Sequence, residues 1–352
     1  MRLRRALSVK AAAVALVATA LPLLGTTSAS ADPIIDSGNV FSKVTSANGS
    51  KIKSVKIDGP QKLTLTVYSG SMGADIPVEV QRPRDTSAPR PVLYLLNGAG
   101  GGVDNAAWTK QTDALPFLAG KDINVVTPLG GAWSYYTDWI KTDPVLGNNK
   151  WTTFLTKELP PIVDAALKTN GRNSIAGLST SGTTVLANAV MAPGLYKSLA
   201  SYSGCAQTSD PIGQQFVKLT VETWGGGKTE NMWGPPNDPL WAANDPYLHA
   251  DKLRGVAMYI SSGNGLPGRH DNLQSPQLLN KTPYGLANQV VIGGVIEAAT
   301  NYCTNNLAAK LGQLGIPAHV NFAGPGTHSW GYWQDAFKDS WPVIAGPLDI
   351  AI

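Results

Sequence analysis

Only two of the 352 residues are cysteine, Cys205 and Cys303, and only four are histidine, at positions 249, 270, 319 and 328. Two thiols without clustered histidines do not make a zinc site, so no metal and no cofactor are expected. Charge is scarce too, with 15% of residues being Asp, Glu, Lys or Arg. Four of the 28 basic residues, Arg2, Arg4, Arg5 and Lys10, stand at the amino terminus; beyond them 24 basic residues face 24 acidic ones. So balanced a chain has no electrostatic footprint for nucleic acid. Long apolar runs are missing after residue 31, which predicts no transmembrane span in the mature chain.

What is present begins with a leader. The four early cations form a positive region, residues 11–24 are an apolar core, and Ala29-Ser30-Ala31 is a small-residue cleavage signal before Asp32. Residues 1–31 therefore read as a cleaved signal peptide, and the mature chain as secreted. A retained anchor is the alternative, weakened by a short apolar run ending in small polar residues; Arg4-Arg5 is a faint twin-arginine signal. Export puts both cysteines in an oxidising compartment, so a Cys205–Cys303 disulfide is expected in preference to two buried free thiols.

Residues 32–50 show little periodicity and read as an irregular N-terminus. Residues 51–352 read as one domain, with 43% hydrophobic residues and ten tryptophans to supply its core. Segments 51–57, 62–68 and 75–81 alternate or favour β-branched residues and predict antiparallel opening strands. Apolar runs at 91–96, 123–128, 173–176, 199–203, 256–262 and 318–322 predict buried strands of a mostly parallel sheet. Helical patterns fall between them at 108–118, 151–167, 183–191 and 289–314. Such alternation implies an α/β fold with helices on both faces of the sheet. Residues 210–248 break the rhythm with Trp224, Trp233 and Trp241. They read as an insertion, either a cap shaping a substrate site or a surface subdomain with its own aromatic core.

The organising stretch is Gly177-Leu178-Ser179-Thr180-Ser181-Gly182. A serine on a strand-to-helix turn is projected above the sheet as a nucleophile, with the next backbone N–H aimed at the same point. The usual G-x-S-x-G is altered, since Ser181 takes the place of the second glycine. Such a serine needs a base, and the base needs a carboxylate. His328, in the loop after the last strand, sits where the base belongs, ahead of His270; His249 and His319 read as structural. For the acid, topology leaves Asp271 and Glu297 open. Asn97-Gly98-Ala99-Gly100-Gly101-Gly102 follows the 91–96 strand, where the other half of an oxyanion hole is built. A phosphate loop is the rival, but no Lys-Ser/Thr pair follows it.

These residues resemble the secreted mycolyltransferases of the antigen 85 type, in the esterase-D-like branch of the α/β-hydrolases. The matching stretches are LLNG at 95–98, YTDW at 136–139, KWTTFLTKELP at 150–160, GLSTSG at 177–182, MWGPPNDPLWAANDP at 232–246, GNGLP at 263–267 and GTHSWGYW at 326–333. They span nearly the whole mature chain in the family's order. The resemblance implies an α/β-hydrolase fold with the Trp-rich insertion over the active site, Ser179 as nucleophile, His328 as base and Glu297 as acid. It further implies oxyanion-hole N–H groups at Ala99 and Thr180, and trehalose contacts at Asn97, Ser181 and Trp330. Asn97 departs from an aspartate usual there, and Gly100–Gly102 replace a stretch with a sugar-binding arginine. The function implied is acyl transfer: a mycolyl group moved from trehalose monomycolate to trehalose or to cell-wall glycan acceptors in the cell envelope. A secreted carboxylesterase with the same triad is the first rival; a glycan- or matrix-binding protein on an inactive hydrolase scaffold is the second.

Overall fold

The computed structural model describes residues 44–351. The expected leader, 1–31, and residues 32–43 of the expected irregular segment lie outside the described residues. Residues 44–50 form a turn whose Thr45 bridges to Lys51.

Among the described residues nine strands form a single sheet: β1 (Lys51–Gly59), β2 (Lys62–Ser69), β3 (Ala74–Gln81), β4 (Val92–Leu96), β5 (Asn124–Pro128), β6 (Asn173–Leu178), β7 (Tyr196–Tyr202), β8 (Ala257–Ser262) and β9 (His319–Phe322). Their order is β1-β2-β3-β5-β4-β6-β7-β8-β9. The first three strands pair antiparallel, β3 meets β5 antiparallel, and from β5 to β9 every pairing is parallel. All nine expected strands are present. β7 begins three residues earlier than its apolar run suggests and ends before Ser203, whose φ of 51° takes it out of the strand.

The helices depart more. The expected 108–118 helix is two short ones, α1 (Trp108–Gln111) and α2 (Ala114–Leu118). Thr112 stands between them in extended conformation, its N–H and its hydroxyl both donating to the Trp108 carbonyl, at 3.2 and 2.8 Å. In 151–167, Phe154–Glu158 forms a π-turn before α3 (Leu159–Leu167). Pro160 and Pro161 have no N–H to continue the preceding ladder. α4 (Thr180–Met191) starts at the serine turn itself, and α5 (Pro211–Lys218) opens the insertion with Asp210 accepting from two N–H groups of its first turn. A second π-turn, Leu219–Trp224, follows α5, and α6 (Pro283–Asn288) runs through a third, Gln289–Gly293, into α7 (Gly294–Gln313). α8 (Trp330–Ala345) was not expected from the sequence. Its Trp330, Trp333, Phe337, Trp341 and Ile344 are buried at helical spacing, with Pro342 obscuring the pattern.

Alternate residues of the wholly buried β4 face opposite sides of the sheet. Val92, Tyr94 and Leu96 pack with α3, α4 and the Leu307–Leu311 turn of α7, whereas Leu93 and Leu95 pack with Trp108, Leu115, Phe337 and Trp341. The insertion has a third core, of Val217, Val221, Met232, Trp233 and Trp241 against Trp139. Both readings of it hold in part: Trp233 and Trp241 are its own core, and Trp224 faces the cavity described below.

The expected disulfide joins Cys205, just beyond β7, to Cys303 of α7 across 98 residues of sequence. Closing so long a loop restricts the unfolded chain and fastens α7 to the sheet. Replacing both cysteines by alanine is expected to lower unfolding free energy by about 2–5 kcal/mol, read by urea denaturation without reductant. An unchanged midpoint would show that α7 is held by packing alone.

Candidate active site

Parallel strands gather their C-terminal ends on one edge of the sheet, and open α/β sheets place their functional groups there. Ser179 follows β6, Ser203 follows β7, Gly263 follows β8, and His328 lies in the loop after β9. Ser179 has φ 57° and ψ −125°, a conformation that a non-glycine residue holds only when its surroundings over-determine it. Here its N–H donates to the Tyr202 carbonyl at 2.9 Å. Small neighbours make the turn possible. A Cβ on Gly177 would lie 2.5 Å from Ser181 Oγ, and one on Gly182 would lie 2.9 Å from the Gly204 backbone.

His328 Nε2 lies 2.8 Å from Ser179 Oγ, and Nδ1–H donates to Glu297 Oε2 at 2.7 Å. The other carboxylate oxygen, Oε1, accepts from Ser203 Oγ at 2.8 Å and from the Gly263 N–H at 2.6 Å. Trp333 Nε1 donates to Ser203 Oγ at 2.9 Å, and the Trp333 ring meets the His328 ring edge-on at 4.8 Å. Glu297 is 1% exposed, and these donors satisfy both of its carboxylate oxygens. The His328 loop is tied to the start of α7 by its own N–H, which donates to the Gly293 carbonyl at 3.1 Å.

Asp271, the other candidate acid, meets no histidine side chain. It accepts from Thr327 Oγ1 at 2.6 Å, Gln289 Nε2 at 2.8 Å and Tyr332 OH at 2.7 Å, and so braces the His328 loop from behind. Burial and this carboxylate push the Tyr332 phenol well above its ordinary range, keeping it a donor. His270 Nε2 pairs with Asp335 at 2.5 Å, His249 with the Ala242 carbonyl, and His319 stacks on Tyr259.

A cavity of about 490 Å³ opens beside Ser179. Gly98, Ala99 and Thr180 line it, and among the described residues neither the Ala99 nor the Thr180 N–H is paired with a protein acceptor. Thr180 opens α4, whose dipole also favours negative charge there. Trp330 lines the cavity, but Asn97 and Ser181 do not. Both expected sugar contacts are buried: Asn97 Oδ1 accepts from the Trp108 N–H at 3.0 Å, and Ser181 Oγ accepts from the Leu178 N–H at 2.9 Å. These two oxygens hold the turns together, while Asn97 Nδ2 is buried without a protein partner among the described residues. Ser203, Gly263 and Trp333 were missed by sequence reading, although GTHSWGYW contains Trp333.

The Esterase family profile matches residues 69–343. Diacylglycerol acyltransferase/mycolyltransferase Ag85A of Mycobacterium leprae is 33% identical over 288 residues, covering 80% of this chain and 81% of that protein. The chain belongs to the antigen 85 family of esterases. Mycobacterium tuberculosis MPT51, whose structure superimposes with a TM-score of 0.67 at 27% identity, covers 82% of this chain and 98% of its own. An S-formylglutathione hydrolase of Agrobacterium tumefaciens, TM-score 0.60 at 16% identity, covers 84% and 99% and shares the fold. The antigen 85 resemblance read from the motifs is thus borne out, as is the α/β-hydrolase fold.

A hydroxyl beside an imidazole that is backed by a buried carboxylate is the arrangement that makes a serine nucleophilic. His328→Ala is expected to lower kcat for a chromogenic ester by roughly a thousandfold or more with the circular-dichroism melt unchanged. Ser203→Ala, which strips one donor from Glu297, is expected to cost roughly tenfold to a hundredfold in kcat with KM little altered. Equal rates in Ser203→Ala and the parent would show that Gly263 and His328 suffice to hold the carboxylate.

Proposed function

We propose that this chain is an exported serine acyltransferase that moves a long-chain, mycolyl acyl group from a trehalose ester to another sugar hydroxyl. The observation that carries this reading is the unbroken hydrogen-bond chain Ser179–His328–Glu297 at an apolar-walled cavity in an antigen 85 family member. Ser179 Oγ attacks the ester carbonyl while His328 Nε2 takes its proton. The oxyanion forms against the N–H groups of Ala99 and Thr180. His328 then gives the proton to the departing sugar oxygen, leaving an acyl-enzyme on Ser179. An acceptor hydroxyl enters, loses its proton to Nε2 and attacks the acyl carbon; Ser179 leaves with that proton. Glu297 holds the imidazole tautomer and steadies its positive charge throughout.

The cavity's walls fit both halves of such a substrate. Phe216, Leu219 and Trp224 of the insertion face Leu278, Ile292 and Ile296, an apolar channel suited to an acyl chain. Asp104, Asn280 and Gln289 add polar groups to the lining, and Trp330 adds an indole against which a sugar ring can stack. With Asn97 and Ser181 turned inward, sugar recognition in this reading rests on these groups. Trehalose mycolates are the donors and trehalose or cell-wall glycans the acceptors, in the cell envelope, after removal of residues 1–31. Among the described residues no helix is long and apolar enough to cross a membrane.

Hydrolysis by the same residues is the second reading, since water and a sugar hydroxyl compete for one acyl-enzyme. Purified protein incubated with a trehalose monoester is expected to yield the diester; free fatty acid as the sole product would make it a carboxylesterase. A fluorophosphonate probe is expected to label the parent and not Ser179→Ala, whereas an unlabelled parent would favour an inactive binding protein.

A further inference from the structure

The base His328 is carried by a loop, residues 323–329, that contains two glycines and no regular secondary structure. Glu297 holds the ring at Nδ1, a single bond about which the imidazole swings unless its backbone is fixed. Nε2 has to reach two oxygens in turn, Ser179 Oγ and the oxygen that departs or enters, and a displacement of about 1 Å costs on the order of a hundredfold in rate. Backbone bonds fasten the start of the loop: the Asn264 N–H donates to the Gly324 carbonyl at 2.8 Å, and the Gly265 N–H to the Gly326 carbonyl at 2.9 Å. Nearer the imidazole come two further ties, the His328 N–H on the Gly293 carbonyl and the Thr327 hydroxyl on Asp271.

Those two ties belong to one closed circuit. Asp271 Oδ1 accepts from Thr327 Oγ1 at 2.6 Å and from Gln289 Nε2 at 2.8 Å. Gln289 opens the π-turn, Gly293 closes it, and the Gly293 carbonyl accepts from His328, the neighbour of Thr327. One carboxylate oxygen therefore clamps the base loop to the turn that leads into the acid-bearing α7. The other, Oδ2, accepts from the Gly268 N–H at 2.8 Å and from Tyr332 OH at 2.7 Å, which fixes the carboxylate from the loop after β8 and from α8. A hydroxyl donating to an ionised acceptor makes a bond roughly twice as strong as a neutral pair does. We propose that Asp271 is a positioning residue for the base, holding His328 in register with Glu297 and Ser179 by gathering Thr327 and Gln289 on one oxygen. Asp271 itself stands outside the cavity wall, whereas Gln289 is part of it, so the clamp reaches the substrate's side of the loop. The inference rests on the reading of Ser179 and His328 as nucleophile and base, and not on the identity of the acyl donor.

Thr327 is 1% exposed, which makes a pair of substitutions there decisive. Thr327→Ser keeps the hydroxyl and leaves a methyl-sized gap, while Thr327→Val fills the space and removes the donor. A packing role favours valine; a clamp favours serine. With a soluble short-chain chromogenic ester, Thr327→Ser is expected to keep the parent kcat, and Thr327→Val to lose roughly tenfold to a hundredfold in kcat with KM unchanged. Asp271→Asn, which removes the charge and one of the two acceptor oxygens, is expected to match the valine variant. The double variant Asp271→Asn/Thr327→Val is expected to be no slower than the worse single, because both changes break one contact. The rate of fluorophosphonate labelling, read on the same proteins, is expected to fall in proportion to kcat. Three results overturn the clamp: Thr327→Val or Asp271→Asn at the parent rate, serine and valine variants equally slow, or losses that multiply in the double variant. Should Asp271→Asn or Thr327→Val fail to fold by its melt, the other, set against Thr327→Ser, decides. A parent that neither turns over the ester nor takes the label refutes the catalytic reading of the site and the clamp with it, whereas an active parent whose Thr327→Val variant keeps pace refutes the clamp alone.

Discussion

A buried carboxylate organises this molecule. Glu297 has almost no access to water, and an unpartnered charge in such a place would cost several kcal/mol. Its partners come from four separate parts of the chain: Ser203 beyond β7, Gly263 beyond β8, His328 beyond β9, and Trp333 of α8 acting through Ser203. Each is where the parallel strand order leaves it, on the same edge of the sheet. The geometry around Ser179 is therefore a consequence of satisfying one charge. Moving any of these elements would leave a donor or the carboxylate unpaired.

The same edge carries most of the backbone strain. Ser179 and Ser203 have φ of 57° and 51°, and Trp133, Tyr135 and Tyr136, in the loop beside the glycine-rich segment, have φ of 61°, 58° and 46°. Conformations of this kind cost of order 1–3 kcal/mol each and persist only where packing and hydrogen bonds hold them. They are held here. The Ser203 N–H donates to the Ser261 carbonyl at 2.8 Å, Thr184 Oγ1 to the Tyr135 carbonyl at 2.8 Å, and the Trp133 N–H to the Ala99 carbonyl at 2.7 Å. That last bond ties the glycine-rich loop to the loop of residues 133–136.

Much of this was legible in the sequence because it is written in local patterns. Every strand announced itself as an apolar or alternating run, and Ser179 by its turn between a strand and a helix. Glu297 was not legible that way: on an α7 pattern it is one polar residue among several, and position alone left Asp271 equally good. Only family resemblance separated them, since the difference lies in which carboxylate reaches a histidine through space. The sugar contacts expected at Asn97 and Ser181 show the converse ambiguity. A polar side chain beside a turn reads the same whether it faces a ligand or caps the backbone, and here both cap the backbone. Ser203 gave no signal because its role arises from a strained φ and from a tryptophan 130 residues away in sequence.

Among the described residues three π-turns, Phe154–Glu158, Leu219–Trp224 and Gln289–Gly293, interrupt helical regularity. The last inserts an extra residue between the exposed α6 and the acid-bearing α7. A π-turn shifts the faces of the helix on its two sides relative to one another. Residues on both sides of it, Tyr284 and Asn288 before and Ile296 and Thr300 after, wall the cavity, while Glu297, four residues past it, is buried. The Gly293 carbonyl, inside that turn, accepts the His328 N–H, so the same irregularity that reorients the helix also anchors the base loop. The Cys205–Cys303 bridge then fixes α7 about two turns farther along. Position and orientation of the acid are set independently, the one by a covalent tie and the other by a break in the hydrogen-bond ladder.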